Sequence, residues 1–452
     1  MRFLTVVFSM VFFLMVQTFL FAQGLFESAG QEASSAGNEE ANPLSLSGYL
    51  KGSLCGGQDN NHVIVSSGNA QVSLKLTAER SGLAKAFSEV RLNGGKIRDS
   101  SSIACDVREA WASASPGPFD IKLGRQIISW GRADGINPTN TITPKDETAL
   151  SSELDDTRLG NELLQVRAKI GSASIQGIWV PYFRPDVLPL SGAQIPSGIT
   201  LAAPAYPDSR VNHAGYALRM EYAFPLVDGS VSYFNGYPTL PGFDFSIGQS
   251  GLLLMPRAYR IHSIGADFST TINAIGLRGE AAIKYPYDNY EKYTYVPNPY
   301  AQYVAGLDKS IGNWNILLQY SGLYVVDYQK IADPVLSDPF NPMVQAFYAF
   351  ELARANIIQM NRLFTGTADK FSHACTGNVQ WNTLYETLHF RLAGMYNFTT
   401  KDYAINPSVS YDIADAVTLV AGGRYLNGPD GNLNAMITNL MSFVYTELKV
   451  SF

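Results

Sequence analysis

The segment 443-FVYTELKVSF-452 closes the chain, and its reading governs how the rest is understood. Val444, Thr446, Leu448, Val450 and Phe452 fall on one side of an extended backbone, and Glu447, Lys449 and Ser451 on the other. Side chains alternate across a strand, so this is a strand with one apolar and one hydrophilic surface. The same pattern recurs upstream in 71-QVSLKLTAE-79, 162-ELLQVRAKI-170, 216-YALRMEYAF-224, 275-IGLRGEAAIK-284 and 388-LHFRLAGMYNF-398. In the first of these, Val72, Leu74, Leu76 and Ala78 oppose Gln71, Ser73, Lys75, Thr77 and Glu79. A soluble sandwich alternates too, so the ends of the chain and its connections have to decide.

Both ends point to export and a membrane. Arg2, the apolar run 3-FLTVVFSMVFFLMVQTFLFA-22 and the small residue Ala22 make up the three parts of a signal peptide over residues 1–22. Residues 23–44, small and acidic, read as a flexible periplasmic leader. Beyond the signal no apolar run reaches the roughly 18 residues that a helical span needs, which leaves residues 45–452 as one all-β unit. Hydrophobic residues make up 46% of the chain, with 25 Tyr and 24 Phe, which suits an apolar outer band between aromatic girdles and a polar lumen. The closing strand, with its terminal aromatic, resembles the last strand of bacterial outer-membrane β-barrels. That resemblance implies that the barrel assembly machinery reads Phe452 and that outer-membrane lipid surrounds the wall.

Alternation places strands near 46–54, 70–79, 85–93, 106–115, 120–129, 162–171, 173–180, 214–224, 229–235 and 258–268. Further strands fall near 274–285, 300–309, 312–325, 369–381, 384–398, 401–412, 416–426 and 440–452. The connections alternate between tight turns, such as SPGPF, GSA, PLVDG, KSIG and IADA, and long loops at 130–161, 181–213, 236–257 and 326–368. Short turns on the periplasmic side and long loops outside are the habit of exported barrels; a short link near Thr400 departs from it. The expected fold is a transmembrane, antiparallel, up-and-down β-barrel of about 18 strands, or 16 or 14 if the weakly patterned 173–180, 229–235 and 300–309 are not in the wall. One helix is expected, in 340-FNPMVQAFYAFELARANIIQMNRLF-364: Asn341 caps, Pro342 suits the first turn, and Glu351 and Arg354 stand at i,i+3. It is expected as an external lid or loop buttress rather than a plug in the lumen.

The loop after 122-KLGRQIISWGRADGINPTNTITPKD-146 stands out. Pro138 and Pro144 stiffen it, and it carries Arg132, Asp134, Lys145, Asp146, Glu147, Glu153, Asp155, Asp156 and Arg158. A rigid loop of mixed charge is what a channel folds inward to narrow its bore; the other reading pairs these charges with one another or turns them to outside water. The pattern Gly124-Arg125-Gln126, Trp130-Gly131, Asp134, Asn137-Pro138, Asn140, Pro144 and Asp146, with the preceding REAWASASPGPFDIKLGRQ and the following Leu159-Gly160, resembles a signature of porin-like outer-membrane barrels of diderm bacteria. The likeness covers about a fifth of the chain and implies a channel-like protein of the cell outer membrane without naming a solute.

The chain carries a formal net charge of −6, yet the inward faces lean basic, with Lys75, Arg91, Arg167, Lys169, Arg219, Arg278, Lys284, Arg391, Arg424 and Lys449 against Glu79, Glu89, Glu221, Glu280 and Glu447. Such a lumen weakly favours small anions, unless the charges form salt-bridged ladders along the wall. The expected pore lining is Arg125, Arg132, Asp134, Lys145, Asp146, Arg158, Arg167, Lys169, Arg219, Arg278, Arg391 and Arg424; Arg125 shares the parity of Leu123, so its inward placement needs a bulge or an early strand end. The five histidines are scattered without metal-ligand spacing, no Ser-Asn-Gly hydrolase element accompanies one, and no phosphate loop or nucleic-acid stripe stands out. The expectation is therefore a non-enzyme without cofactor that passes small hydrophilic solutes by diffusion. The alternatives are a surface-exposed binding platform, to which the Tyr-rich 285-YPYDNYEKYTYVPNPY-300 lends contact area, and a transporter of hydrophobic substrates. Cys55 and Cys105 can pair in an oxidising envelope or stay free thiols.

Overall fold

A computed structural model describes residues 44–452 apart from 60–61, 81, 98–99, 147–150, 152, 189–198, 249–250, 430–433, 435–437 and 439–441. The signal peptide and nearly all of the leader lie outside the described residues. Among the described residues the chain runs through β1 Leu44–Asp59, β2 His62–Arg80, β3 Ala84–Ile97, β4 Ser100–Ala114 and β5 Phe119–Gln126. There follow β6 Asn161–Ile170, β7 Ala173–Val180, β8 Ile199–Leu201, β9 Gly215–Ala223 and β10 Asp228–Gly236. Then come β11 Gly242–Gly248, β12 Gly251–Arg257, β13 Ile261–Ile272, β14 Ile275–Pro286, β15 Tyr300–Ile311 and β16 Trp314–Val325. The helix α1, Pro342–Thr365, precedes β17 Phe371–Thr383, β18 Leu388–Asn397, β19 Tyr403–Ala414, β20 Val417–Asn427 and β21 Phe443–Ser451.

Eighteen of these strands form one sheet in which each pairs antiparallel with the next. The sheet closes where β21 returns to β1, with Tyr49 opposite Ser451 and Gly57 opposite Phe443. Closure matters because a bilayer offers no water to an unpaired sheet edge. The weakly patterned β7, β10 and β15 all stand in the wall. The alternation read from the sequence sorts the two faces: Leu46, Leu50, Leu74, Leu76, Leu218, Ile283 and Leu392 are exposed outward, while Lys51, Ser73, Arg91, Arg219, Glu280, Asn378 and Arg424 are buried inside. Aromatic rings line the outer rims, with Trp314 stacked on Trp381 at 5.6 Å near one and Tyr320 on His373 at 5.9 Å near the other.

Three features depart from the expectation. The first four strands are longer than read, up to 19 residues in β2, against the roughly 9–11 that cross a bilayer; β1–β2 and β3–β4 are therefore joined by short links where longer loops were expected. The fifth strand ends at Gln126, not near 129, because the chain leaves the wall there and carries Ile128 into the lumen. The connections 181–213 and 236–257 hold β8, β11 and β12, which make a separate three-stranded sheet.

That small sheet and α1 build one apolar core over the mouth. Phe243, Leu252 and Leu254 of the sheet meet Ile357, Met360 and Phe364 of the helix, and the lumen-facing Ala404 and Leu426 of the far wall complete the cluster. Each of the Phe, Leu, Ile and Met side chains gains roughly 1.5–3 kcal/mol on burial. The helix begins as the sequence implies: Asn341 accepts from the Met343 amide at 3.0 Å, and Pro342 fills the first position. Gly366 ends it at φ 72°, a left-handed conformation that costs a side-chain-bearing residue strain. It is not apolar enough to cross a membrane. Its amino-terminal half is exposed, as a lid or buttress would be, while its carboxy-terminal half joins the cover of the mouth.

Candidate functional site

The connection between β5 and β6, residues 127–160, folds into the lumen and holds to the wall in two directions. Its stem is apolar: Ile128, Trp130 and Ile142 pack on Leu163, Ile178, Val180, Ala217, Phe234 and Ile261, the lumenal residues of β6, β7, β9, β10 and β13. The Trp130 indole N–H donates to the Gln176 side chain at 2.9 Å, and the Thr143 hydroxyl takes the Ile128 amide at 2.9 Å. This answers why a charged, proline-stiffened loop carries so many apolar residues: they line the inside of the barrel.

One arm reaches β13 and β14. Glu280 accepts from the Thr139 amide at 2.7 Å, the Thr139 hydroxyl at 2.8 Å and the Ala133 amide at 3.2 Å. Arg132 pairs with Asp267 at 2.9 Å, and Asp134 receives Arg278 at 2.7 Å. Gly131 permits this approach, since its φ is 96° and a Cβ there would fall on the Glu280 carboxylate.

The other arm reaches β1, β3, β4 and β21. Asp156 is buried among cations, taking Lys51 and, at 2.7 Å, Arg91, with Arg108 3.8 Å away and Ser151 donating at 2.6 Å. Glu153 meets Lys449 at 2.6 Å. Between the arms, backbone bonds Asp146 N to Thr157 O at 2.6 Å and Leu159 N to Pro144 O at 2.8 Å fold the loop on itself. Asp186, from the connection after β7, accepts the Lys145 amide at 2.8 Å. Burial pushes the Asp186 carboxyl up to about 6, against the pull of the Lys145 amide, the Lys145 ammonium and Thr239.

Not every residue expected to line a pore stands there. Arg132 and Asp134 lie on the first arm, while Lys145 and Arg158 face each other across a backbone bridge. Asp146 stays in the same fold of the loop, and Arg158 pairs with the exposed Asp155 at 3.1 Å. Arg167, opposite Gln176, and Lys169, 3.0 Å from Asp120, stand on the lumenal parity of β6. Arg219 pairs with Asp267 at 3.0 Å, and Arg278 also with Asp308 at 3.0 Å. Across the lumen Arg391 donates to Asn378 at 3.1 Å and Arg424 to Asn406 at 3.2 Å. Arg125 does not stand with them: it keeps the outward parity of Leu123 at the end of β5 and pairs with Glu162 at 2.5 Å and Asp106 at 3.9 Å. The anchors Glu280, Asp267, Asp156, Lys51, Arg108, Thr139 and Gln176 are absent from the expected lining. Inward parity already places Glu280 on the lumenal face, and the same parity nominates Asp267 and Lys51.

Many lumenal cations thus meet acids of the wall or of the loop. No disulfide joins Cys55 and Cys105: Cys55 is buried on the lumenal face of β1, and Cys105 is exposed on β4 opposite the outward Leu92. Among the described residues no group of three or more His, Cys, Asp or Glu could hold a metal ion.

Residues 57–411 match the family model described as "Protein of unknown function (DUF1302)", which is most of the chain. The chain belongs to the DUF1302 family. No curated protein matches it by sequence. Among solved structures, this DUF1302 barrel is similar to Acinetobacter baumannii OccAB4, with a TM-score of 0.53 and 10% identity over 92% of this chain and 99% of that one. It is also similar to Pseudomonas aeruginosa OccK9 (OpdG), at 0.52 and 8% over 90% and 97%. The outer membrane protein OpdK of Pseudomonas aeruginosa gives 0.51 and 9% over 90% and 98%. At such identities the likeness is one of fold. A closed antiparallel barrel with an apolar exterior is the architecture of the outer membrane, and that is where this DUF1302 chain resides.

Proposed function

We propose that the DUF1302 barrel is a porin-like channel through which small hydrophilic solutes diffuse passively, with residues 127–160 as its constriction. The observation that carries this reading is the double anchorage of the loop: Glu280 and Arg278 hold one arm, and Lys51 and Arg91 hold the other from a distant part of the ring. A loop fixed at both ends across a polar lumen sets a bore instead of flapping over it. Arg132, Asp134 and Arg278 would line the passage on one side, and Arg391 and Arg424 on the other. A modest preference for anions follows from the basic lean of the wall, reduced by the acids that the loop brings in.

Single-channel recording in planar bilayers tests both parts. Deleting residues 136–146 removes the Thr139 anchor and should raise unit conductance severalfold while the barrel still inserts. A folded deletion variant with unchanged conductance would reject the loop as the constriction. In a salt gradient the intact protein should show a reversal potential of the sign of anion permeation, and a cation-selective potential would remove the anion preference.

A further inference from the structure

Outside the barrel, α1 and the Tyr-rich connection between β14 and β15 enclose a cleft of about 420 Å³ that the channel reading does not use. Its floor is Asn361, which ties three elements together. The Asn361 side chain accepts from the Phe243 amide at 2.8 Å and donates to the Phe243 carbonyl at 2.8 Å and the Thr294 carbonyl at 2.7 Å. The cleft therefore has a built base and not merely a gap between loops. Tyr293 and Val296 form one wall and Ile358 the other, and Phe347 and Val335 form a lip that is 67% and 83% exposed.

The polar lining is asymmetric. Lys330, Arg354 and Arg362 face the cleft against Glu291 and Glu351, leaving one excess positive charge. The Arg354–Glu351 pair is long, at 3.8 Å. Arg362 donates to the Gln329 carbonyl at 2.7 Å and lies over the Tyr328 ring, with no carboxylate in ion-pair range among the described residues. Apolar walls beside the loosely paired Arg354 suit a ligand with an apolar body and one negative end, because guanidinium binds carboxylate through charge-assisted hydrogen bonds.

We propose that this cleft is a binding site for a small amphiphilic carboxylate, with its body along Tyr293, Val296 and Ile358 and its carboxylate on Arg354. The site stands independently of the channel reading. It would capture such acids at the cell surface beside the mouth.

The test uses the full chain in lipid nanodiscs, with 4-phenylbutyrate as the probe and empty nanodiscs as the blank, read by saturation-transfer NMR and titration calorimetry. Saturable binding is expected, weakened at least tenfold by Ile358→Trp, which fills the cleft, and by Arg354→Gln, which leaves its shape. The neutral analogue 4-phenylbutanol should bind at least tenfold more weakly than the acid. Absence of saturable binding, equal affinity for acid and alcohol, or full affinity in both variants would overturn the assignment. Should Ile358→Trp not fold, Arg354→Gln at the exposed edge decides. Unit conductance recorded on the same variants should be unchanged, so failure of the cleft and failure of the channel give different results.

Discussion

Asp156 and its neighbour Asp155 show how little an acid's identity says without its surroundings. Asp156 is buried with Lys51 and Arg91, whereas the Asp155 side chain remains 66% exposed beside Arg158. Removing one partner of a buried ionic cluster leaves the others uncompensated and costs about 3–5 kcal/mol, while exposed pairs contribute about 0–1 kcal/mol. Asp156→Asn should therefore lower the thermal transition of the detergent-solubilised barrel clearly, and Asp155→Asn should leave it nearly unchanged, as followed by heat-dependent gel mobility. Asp186 offers a pH-dependent counterpart. Its folded pKa of about 6 lies above the ordinary aspartate value, so the folded chain holds a proton that the unfolded chain has released. Stability from this group is full below the unfolded value and is lost as pH rises towards about 6. Asp186→Asn should match the parent at pH near 4 and exceed it at pH near 8 in thermal unfolding; a gain at the acidic end instead would reverse the assignment.

The inward loop and α1 are both elements whose ends were legible and whose placement was not. The helix is announced by Asn341, Pro342 and Gly366, all acting within a turn of where they stand. What holds it is Asn361, through three bonds to β11 and to the Thr294 segment. Asn361→Ala leaves those groups without partners in a buried place, a cost of about 1–3 kcal/mol each. Hydrogen exchange should then speed at least tenfold across α1 and β11 while the amides of β13 to β16 keep their protection. Uniform loss of protection around the barrel would show that the cover and the wall unfold together. For the loop, Trp130, Ile142 and Ile128 give an apolar side and Thr139 and Asp156 a polar one, but neither says which strand receives it.

Across the whole molecule, closure into a ring makes distant residues neighbours. Lys449 meets Glu153 and Arg132 meets Asp267, although each pair is far apart in the chain. The wall was legible because every strand reports its own two surfaces: Leu74 and Lys75 must part to lipid and lumen wherever the strand sits, since period-two alternation is local geometry. About eighteen strands follow from that alternation and from the tight turns, with 16 or 14 left open by the weak patterns of β7, β10 and β15, and the ring has eighteen. The long strands of the first two hairpins were less legible, because Gly- and Ser-rich stretches such as 52–57 carry little contrast between faces.

Local chemistry thus suffices for the strands, the sidedness of the barrel and the ends of the helix, because each depends on residues within a few positions of one another. The partners of the inward loop, the small sheet over the mouth, the outward turn of Arg125 and the cleft on Asn361 depend on which strands the ring brings face to face. That choice belongs to no single segment, since a buried charge such as Asp156 is tolerable only where Lys51 and Arg91, from other strands, arrive to meet it.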